Sequence, residues 1–216
     1  MLPKAVIFDM DGLLLDTERL NLTCYLAARD EFSLNKDSSA YLKCIGLSRN
    51  RSDEVIREGL ADRVDFSLFM KRWREIIASQ LSRHVPVKNG ALRLIRHIAE
   101  LGIPMGVATS TSTEVAKSLL TRAEIINFLG CVVGGDLVEQ HKPNPEIYHR
   151  AAGALSVTSS DCIVFEDSEV GTMAALAAGA LTVQVPDLVR PPESFLKCGQ
   201  IVALDLLDGA KQVGLM

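Results

Sequence analysis

Six short apolar runs, nearly all without polar alternation, constrain this chain more than any other feature. They are Ala5–Phe8, Pro104–Ala108, Cys131–Val133, Cys162–Phe165, Leu181–Val185 and Ile201–Ala203. A strand with one wet face alternates apolar and polar side chains. A short β-branched run without alternation is buried on both faces, as in a parallel sheet covered by helices. Between most of these runs the apolar spacing becomes helical, over 91–101, 113–122, 145–155 and 170–178. Gly102 and Gly179 stand just past two of those helices, where a left-handed C-terminal cap favours a residue without Cβ. Alternating strands and helices define an α/β, doubly wound parallel-sheet domain, whose ligands bind outside the carboxyl ends of the strands.

Between Asp16 and about Lys88 the texture changes, and no strand-like run occurs. The spacing predicts helices from Thr17 to near Phe32, over 38–44, over 49–60 and over 65–81. Asp16 is placed to cap the first, with Glu18 in its opening turn. Leu68, Phe69, Trp73, Ile76, Ile77 and Leu81 form an apolar stripe at helical spacing, which reads as core. The expected organisation is a core of residues 1–16 and 85–216, interrupted by an all-helical insert over 17–84.

Composition then narrows the function. The 216 residues carry a net charge of −4 and contain no basic block, which argues against a nucleic-acid or anionic-membrane surface. Aromatic residues make up 5%, too few for a base-stacking platform. The five cysteines are widely spaced without C-x-x-C, so neither a disulfide framework nor a zinc site is suggested. The longest uncharged run, Val170–Pro186, is broken by glycines and a proline and is short of a membrane span. Pro3 and Lys4 precede Asp9, so no signal-peptide core is read. A cytoplasmic monomer with a small-molecule partner, and no nucleic acid or membrane, is expected.

Chemistry concentrates where the first run ends: Phe8-Asp9-Met10-Asp11-Gly12, then Leu15-Asp16-Thr17-Glu18. Two carboxylates at i and i+2 repel, and one pKa rises unless a cation lies between them. Gly12 permits a tight turn after them. A calcium loop does not fit, because Leu13, Leu14 and Leu20 fall where an oxygen ligand, glycine and glutamate belong.

With its strand followed by D-x-D-G and D-T-E, the chain resembles the haloacid dehalogenase superfamily, whose phosphatases open in this way. Three further signatures follow in order. Val107-Ala108-Thr109-Ser110 is a strand ending in a hydroxyl; His141-Lys142-Pro143-Asn144-Pro145-Glu146 resembles the family's lysine motif; and Phe165-Glu166-Asp167-Ser168, with Gly171, resembles its acidic motif. The helical insert resembles the family's C1 cap. Dehalogenation itself is disfavoured, since that branch lacks the second aspartate that Asp11 supplies. A phosphoacceptor module of the receiver type shares an acid pocket, a threonine and a lysine. It lacks D-x-D-G on its first strand and the long helical insert.

The resemblance implies roles that suit attack on a dianionic ester, where charge neutralisation and positioning dominate. Asp9 is the expected nucleophile, forming an aspartyl-phosphate, and Asp11 the general acid and then base. Thr109 and Ser110 are expected to bind the phosphoryl group, and Lys142 to offset charge on it and on Asp9. Magnesium is the expected cofactor, held by Asp9, the Asp11 backbone carbonyl and Asp167, with Glu166 as a ligand, directly or through water. Selection of the leaving group is expected from Ile45–Arg51, through Gly46 and Arg49; Thr17, Glu18 and Asn21 are further candidates. The strings around Asp9 and Ala174–Gly179 resemble phosphatases of sugar phosphates and of pseudouridine phosphate. Gly46-x-Ser48-Arg49 is similar to β-phosphoglucomutases, so a phosphosugar mutase is the alternative.

Overall fold

All six apolar runs form strands: β1 (Ala5–Phe8), β2 (Met105–Ala108), β3 (Cys131–Val133), β4 (Cys162–Glu166), β5 (Leu181–Gln184) and β6 (Ile201–Val202). The computed structural model describes residues 2–45, 49–61 and 63–216, apart from the side chains of Arg49 and Asn50. Within it the strands make one sheet in the order β3-β2-β1-β4-β5-β6, and every pairing is parallel. The chain divides into two compact units: one runs up to Leu15 and resumes over Val87–Met216, and the other is Asp16–Pro86.

The second unit is helical, with α1 (Thr17–Glu31), α2 (Ser39–Cys44), α3 (Arg49–Leu60) and α4 (Phe66–Arg83). Its core is aromatic: the Tyr25 ring meets those of Trp73, Tyr41 and Phe69 at 5.2, 5.7 and 5.7 Å. Buried Arg29 is satisfied by the Tyr25 hydroxyl and by Asn35 at 2.8–3.0 Å, as a charge removed from water requires. Two expectations for this unit are corrected. Asp16 occupies the cap position of α1 without a capping bond, because its backbone (φ −84°, ψ 43°) is not extended; its carboxylate pairs with Arg19 at 3.4 Å. Leu68 is 54% exposed, so the stripe on α4 turns its buried side through Phe69 and Met70 instead.

Five helices belong to the sheet unit: α5 (Ala91–Glu100), α6 (Thr113–Arg122), α7 (Glu146–Ala154), α8 (Glu169–Ala177) and α9 (Leu206–Gln212). Ala5, Ile7 and Val164 share a buried cluster with Tyr148, Ala151 and Ala152 of α7 and Ala174 and Ala175 of α8. Alternate residues point to the other face, where Phe8 stacks on Phe165 at 5.3 Å. Gly102 and Gly179 end their helices at φ +69° and +78°, the conformation their positions anticipate. Helix α9 is absent from the sequence reading because it has seven residues with Gly209 at its middle, and glycine costs about 1 kcal/mol in a helix. A Cβ there would lie 2.7 Å from Val183 and 3.1 Å from Phe165, so only glycine lets α9 approach the sheet this closely. Among the described residues, no helix is long and apolar enough to cross a membrane.

Candidate active site

The strand order reverses between β1 and β4, and in an open α/β sheet that switch point opens a crevice at the carboxyl ends. Phe8 is in register with Phe165, and the Asp9 amide donates to the Phe165 carbonyl at 3.0 Å. Asp9 therefore leaves β1 beside Glu166 and Asp167 at the end of β4. On the other flank Phe8 pairs with Val107 of β2, which places Thr109 just beyond the strand end. Gly12 turns the chain at φ +80°, its amide donating to the Leu15 carbonyl at 2.9 Å.

Lys142 ties these ends together. Its ammonium has three donors, and all three are used: on Asp9 Oδ1 at 2.6 Å, Glu166 Oε1 at 2.6 Å and the Ala108 carbonyl at 3.1 Å. Glu166 is fully buried and receives five donors. Lys142 and the Tyr148 hydroxyl (2.7 Å) reach Oε1; the amides of Asp167 and Ser168 and the Ser168 hydroxyl reach Oε2 at 2.9–3.0 Å. A carboxylate offers about four lone-pair sites, so this one is saturated. Ser168 Oγ also accepts the Gly171 amide at 3.1 Å and caps α8, which leaves Glu166 and Asp167 out of that role.

Asp11 is oriented separately. Its Oδ2 accepts from the Thr111 hydroxyl at 2.8 Å and from Thr109 Oγ1 at 3.3 Å, while Thr109 Oγ1 accepts the Thr111 amide at 3.1 Å. The structure thus gathers Asp9, Asp11, Thr109, Lys142, Glu166 and Asp167 at the ends of three adjacent strands. Ser110 follows Thr109 as an exposed residue. Gly46 lies outside the described residues, as does the side chain of Arg49, whose backbone opens α3.

The charge balance of the cluster is uneven. Burial lifts the Asp9 carboxyl; Lys142 opposes this, but Glu166 and Asp11 add repulsion, and its pKa is pushed up to about 8. Burial also disfavours charge on Lys142 and on Glu166. In both it is outweighed, and the pair stays ionised, with the lysine raised well above its ordinary value and the glutamate lowered. One lysine thus serves two buried carboxylates, and Glu166, with the most donors, keeps its charge at the expense of Asp9. Carboxylate oxygens of Asp9, Glu166 and Asp167 lie within 4.8 Å of one another. Hard oxygen donors with a deficit of positive charge fit a magnesium-type ion.

Three contributors escape the sequence reading. Gly171 stands inside the acidic motif without a role, Tyr148 lies two residues past the lysine motif, and Thr111 lies just outside the hydroxyl-ended strand. A tyrosine in the alanine-rich buried stripe of α7 is a usable signal, because a buried hydroxyl needs a partner. A Cβ on Gly171 would stand 1.7 Å from Glu166 Oε1. Gly171→Ala should therefore lower stability by about 1–3 kcal/mol in denaturant unfolding, although alanine is the better helix former. Unchanged stability would mean that the carboxylate can move without cost.

Residues 6–185 match the family described as Haloacid dehalogenase-like hydrolase. The chain is 30% identical over 214 residues to a phosphorylated carbohydrates phosphatase of Thermotoga maritima, covering 97% of this chain and 99% of that one. It is 30% identical over 183 residues to a fructose-1-phosphate phosphatase of Escherichia coli (strain K12), covering 84% and 95%. A Thermotoga maritima crystal structure, described as a candidate beta-phosphoglucomutase, superposes with a TM-score of 0.81 at 26% identity and 99% coverage of both chains. The match spans Asp9, Thr109, Lys142 and Glu166, and the chain belongs to the haloacid dehalogenase-like hydrolases.

Proposed function

We propose that this protein is a magnesium-dependent phosphoric monoester hydrolase that acts on small sugar phosphates through an aspartyl-phosphate. The observation that carries the reading is the buried Asp9–Lys142–Glu166 arrangement, with Asp11 held beside it by two threonines. The relatives named for phosphorylated carbohydrates and fructose 1-phosphate support the substrate class. Residues 1–16 and 85–216 are proposed as the catalytic core, and 17–84 as the cap that selects the leaving group.

Lys142 occupies Asp9 Oδ1, so Oδ2 is the proposed attacking atom. As the Oδ2–P bond forms, the ester P–O bond breaks, and the Asp11 carboxyl gives its proton to the departing oxygen. Asp11, now a carboxylate, takes a proton from water as that water attacks phosphorus; the P–Oδ2 bond breaks and Asp9 is restored. Thr111 and Thr109 hold Asp11 in place for both transfers, each of which general acid–base catalysis speeds by about 10²–10⁴-fold. Magnesium, held by Asp9, Asp167 and the Asp11 carbonyl, would offset charge on the phosphoryl oxygens. Glu166, saturated by its five donors, is proposed to fix Lys142 rather than to bind metal.

The test is phosphate release from a panel of sugar phosphates and nucleoside monophosphates. Turnover should fall to background with a chelator and return with added magnesium. Full turnover in the chelator would overturn the metal dependence. Primer-dependent conversion of β-glucose 1-phosphate to glucose 6-phosphate, with no net phosphate release, would overturn hydrolysis in favour of the mutase.

A further inference from the structure

The segment from the end of β2 into α6 is five hydroxyl residues in succession, Thr109–Thr113, so no apolar side chain within it can fix it by burial. Ser112 holds the cap position of α6 with an extended backbone (φ −61°, ψ 146°), yet its side chain makes no capping bond. The acceptor for that helix end comes instead from the neighbouring loop after β3. Asp136 Oδ1 accepts the Thr113 amide at 2.6 Å and the Thr113 hydroxyl at 2.8 Å, and that hydroxyl accepts the Gly134 amide at 3.1 Å. The Gly135 amide donates to the Thr111 carbonyl at 3.0 Å. A Cβ on Gly134 would stand 2.3 Å from the Thr113 nitrogen, so the two loops meet backbone to backbone. These bonds bracket Thr111, whose hydroxyl donates to Asp11 Oδ2 at 2.8 Å.

We propose that Asp136 is a positioning residue for proton transfer: by clamping Thr113 it holds the loop that aims the Thr111 hydroxyl at Asp11. The proposal rests on the phosphatase reading above and extends it to a residue outside the acid cluster. Asp136 is exposed, and among the described residues its carboxylate bonds to Thr113 and to no member of that cluster. The Thr113 amide and hydroxyl hold its carboxyl below the ordinary carboxylate range, so the acceptor is charged at neutral pH and its bonds are of the stronger kind. A general acid must stay within about 2.6–3.2 Å of the oxygen it protonates. A displacement of about 1 Å, caused from a distance, can cost about 10²-fold in rate. Thr111 has water as an alternative partner for its hydroxyl, and fixing the chain on both sides of it removes much of that freedom. A residue that merely capped α6 would affect stability without distinguishing one ester from another.

The test compares kcat/KM, which covers the steps up to departure of the leaving group, for fructose 1-phosphate and p-nitrophenyl phosphate. A sugar alkoxide needs the Asp11 proton to leave, whereas p-nitrophenolate does not. Asp136→Ala should lower the value for fructose 1-phosphate by about 10–100-fold, and that for p-nitrophenyl phosphate by less than about threefold. Asp136→Asn keeps an oxygen acceptor for Thr113 and should stay within about threefold of wild type on both esters. In an Asp11→Asn background, Asp136→Ala should cost nothing further on fructose 1-phosphate, because no proton donor is left to aim. Equal losses on the two esters, no loss on either, or full additivity with Asp11→Asn would each overturn the proposal. Amide hydrogen exchange over 109–113 reads the loop without turnover. It should quicken by about tenfold in Asp136→Ala, the size expected for one lost hydrogen bond, and not in Asp136→Asn; unchanged exchange in Asp136→Ala would also refute the clamp. A wild-type protein that hydrolyses neither ester, with the exchange pattern as expected, would instead sink the phosphatase reading and leave the clamp standing.

Discussion

Asp9→Asn should abolish phosphate release from every substrate, with a loss on the order of 10⁴–10⁶ in kcat, as for removal of a covalent nucleophile. The amide keeps the size of the side chain but has no anionic oxygen to attack phosphorus. The same variant should affect stability in the opposite direction. The Asp9 carboxyl titrates near 8 in the folded metal-free protein, against an ordinary value of 3.8. The folded state therefore binds a proton that the unfolded state has lost, and stability falls as pH rises from about 4 to about 8. Glu166, lowered, and Lys142, raised, make contributions that stay constant between pH 5 and 8. Thermal unfolding in chelator should show the wild type losing stability from pH 5 to 8 relative to Asp9→Asn. Magnesium should restore it. Parallel pH curves for the two proteins would show that Asp9 carries no such penalty, and a phosphoryl mimic trapped on another residue would refute the nucleophile.

Lys142→Met should combine a rate loss of about 10²–10³, the size typical of losing one electrostatic stabiliser, with a fall in stability of about 3–5 kcal/mol. The lysine and Glu166 side chains are 6% and 0% exposed, and breaking such a pair leaves a buried charge without its counter-ion. Adding Glu166→Gln to Lys142→Met removes that charge. The double variant should recover part of the stability and none of the activity. This pattern separates the two functions assigned to the lysine, and urea unfolding alongside kcat measures both. If the double variant unfolds no later than Lys142→Met alone, the pair is not energetically coupled and Glu166 has another role. Lys142→Arg should not substitute, because a planar fork cannot place three donors on Asp9, Glu166 and the Ala108 carbonyl at once.

Features that follow from local periodicity and covalent spacing were legible without coordinates. The doubly buried sheet was evident because a two-residue side-chain period leaves no polar alternation in Ala5–Phe8 or Cys162–Phe165. The carboxylates stood out because charged groups directly beyond apolar strands need a reason to be there, and Lys142 through the resemblance of its motif. The sequence by itself thus determined the α/β architecture, the two textures and the family, along with the chemical types available at the strand ends.

Tertiary structure decided how those types share charge. Hydrogen-bond saturation depends on which atoms meet in space, and no spacing along the chain shows that five donors converge on Glu166. Tyr148 and Gly171 acquire meaning only there, one as a buried donor and the other as the absence of a Cβ 1.7 Å from an oxygen. Helix α9 likewise exists through packing, because Gly209 weakens it locally and is what allows its close contact with Val183 and Phe165. The stripe on α4 follows the same logic: it is periodic in sequence, yet packing against α1 decides that Phe69 is buried and Leu68 exposed.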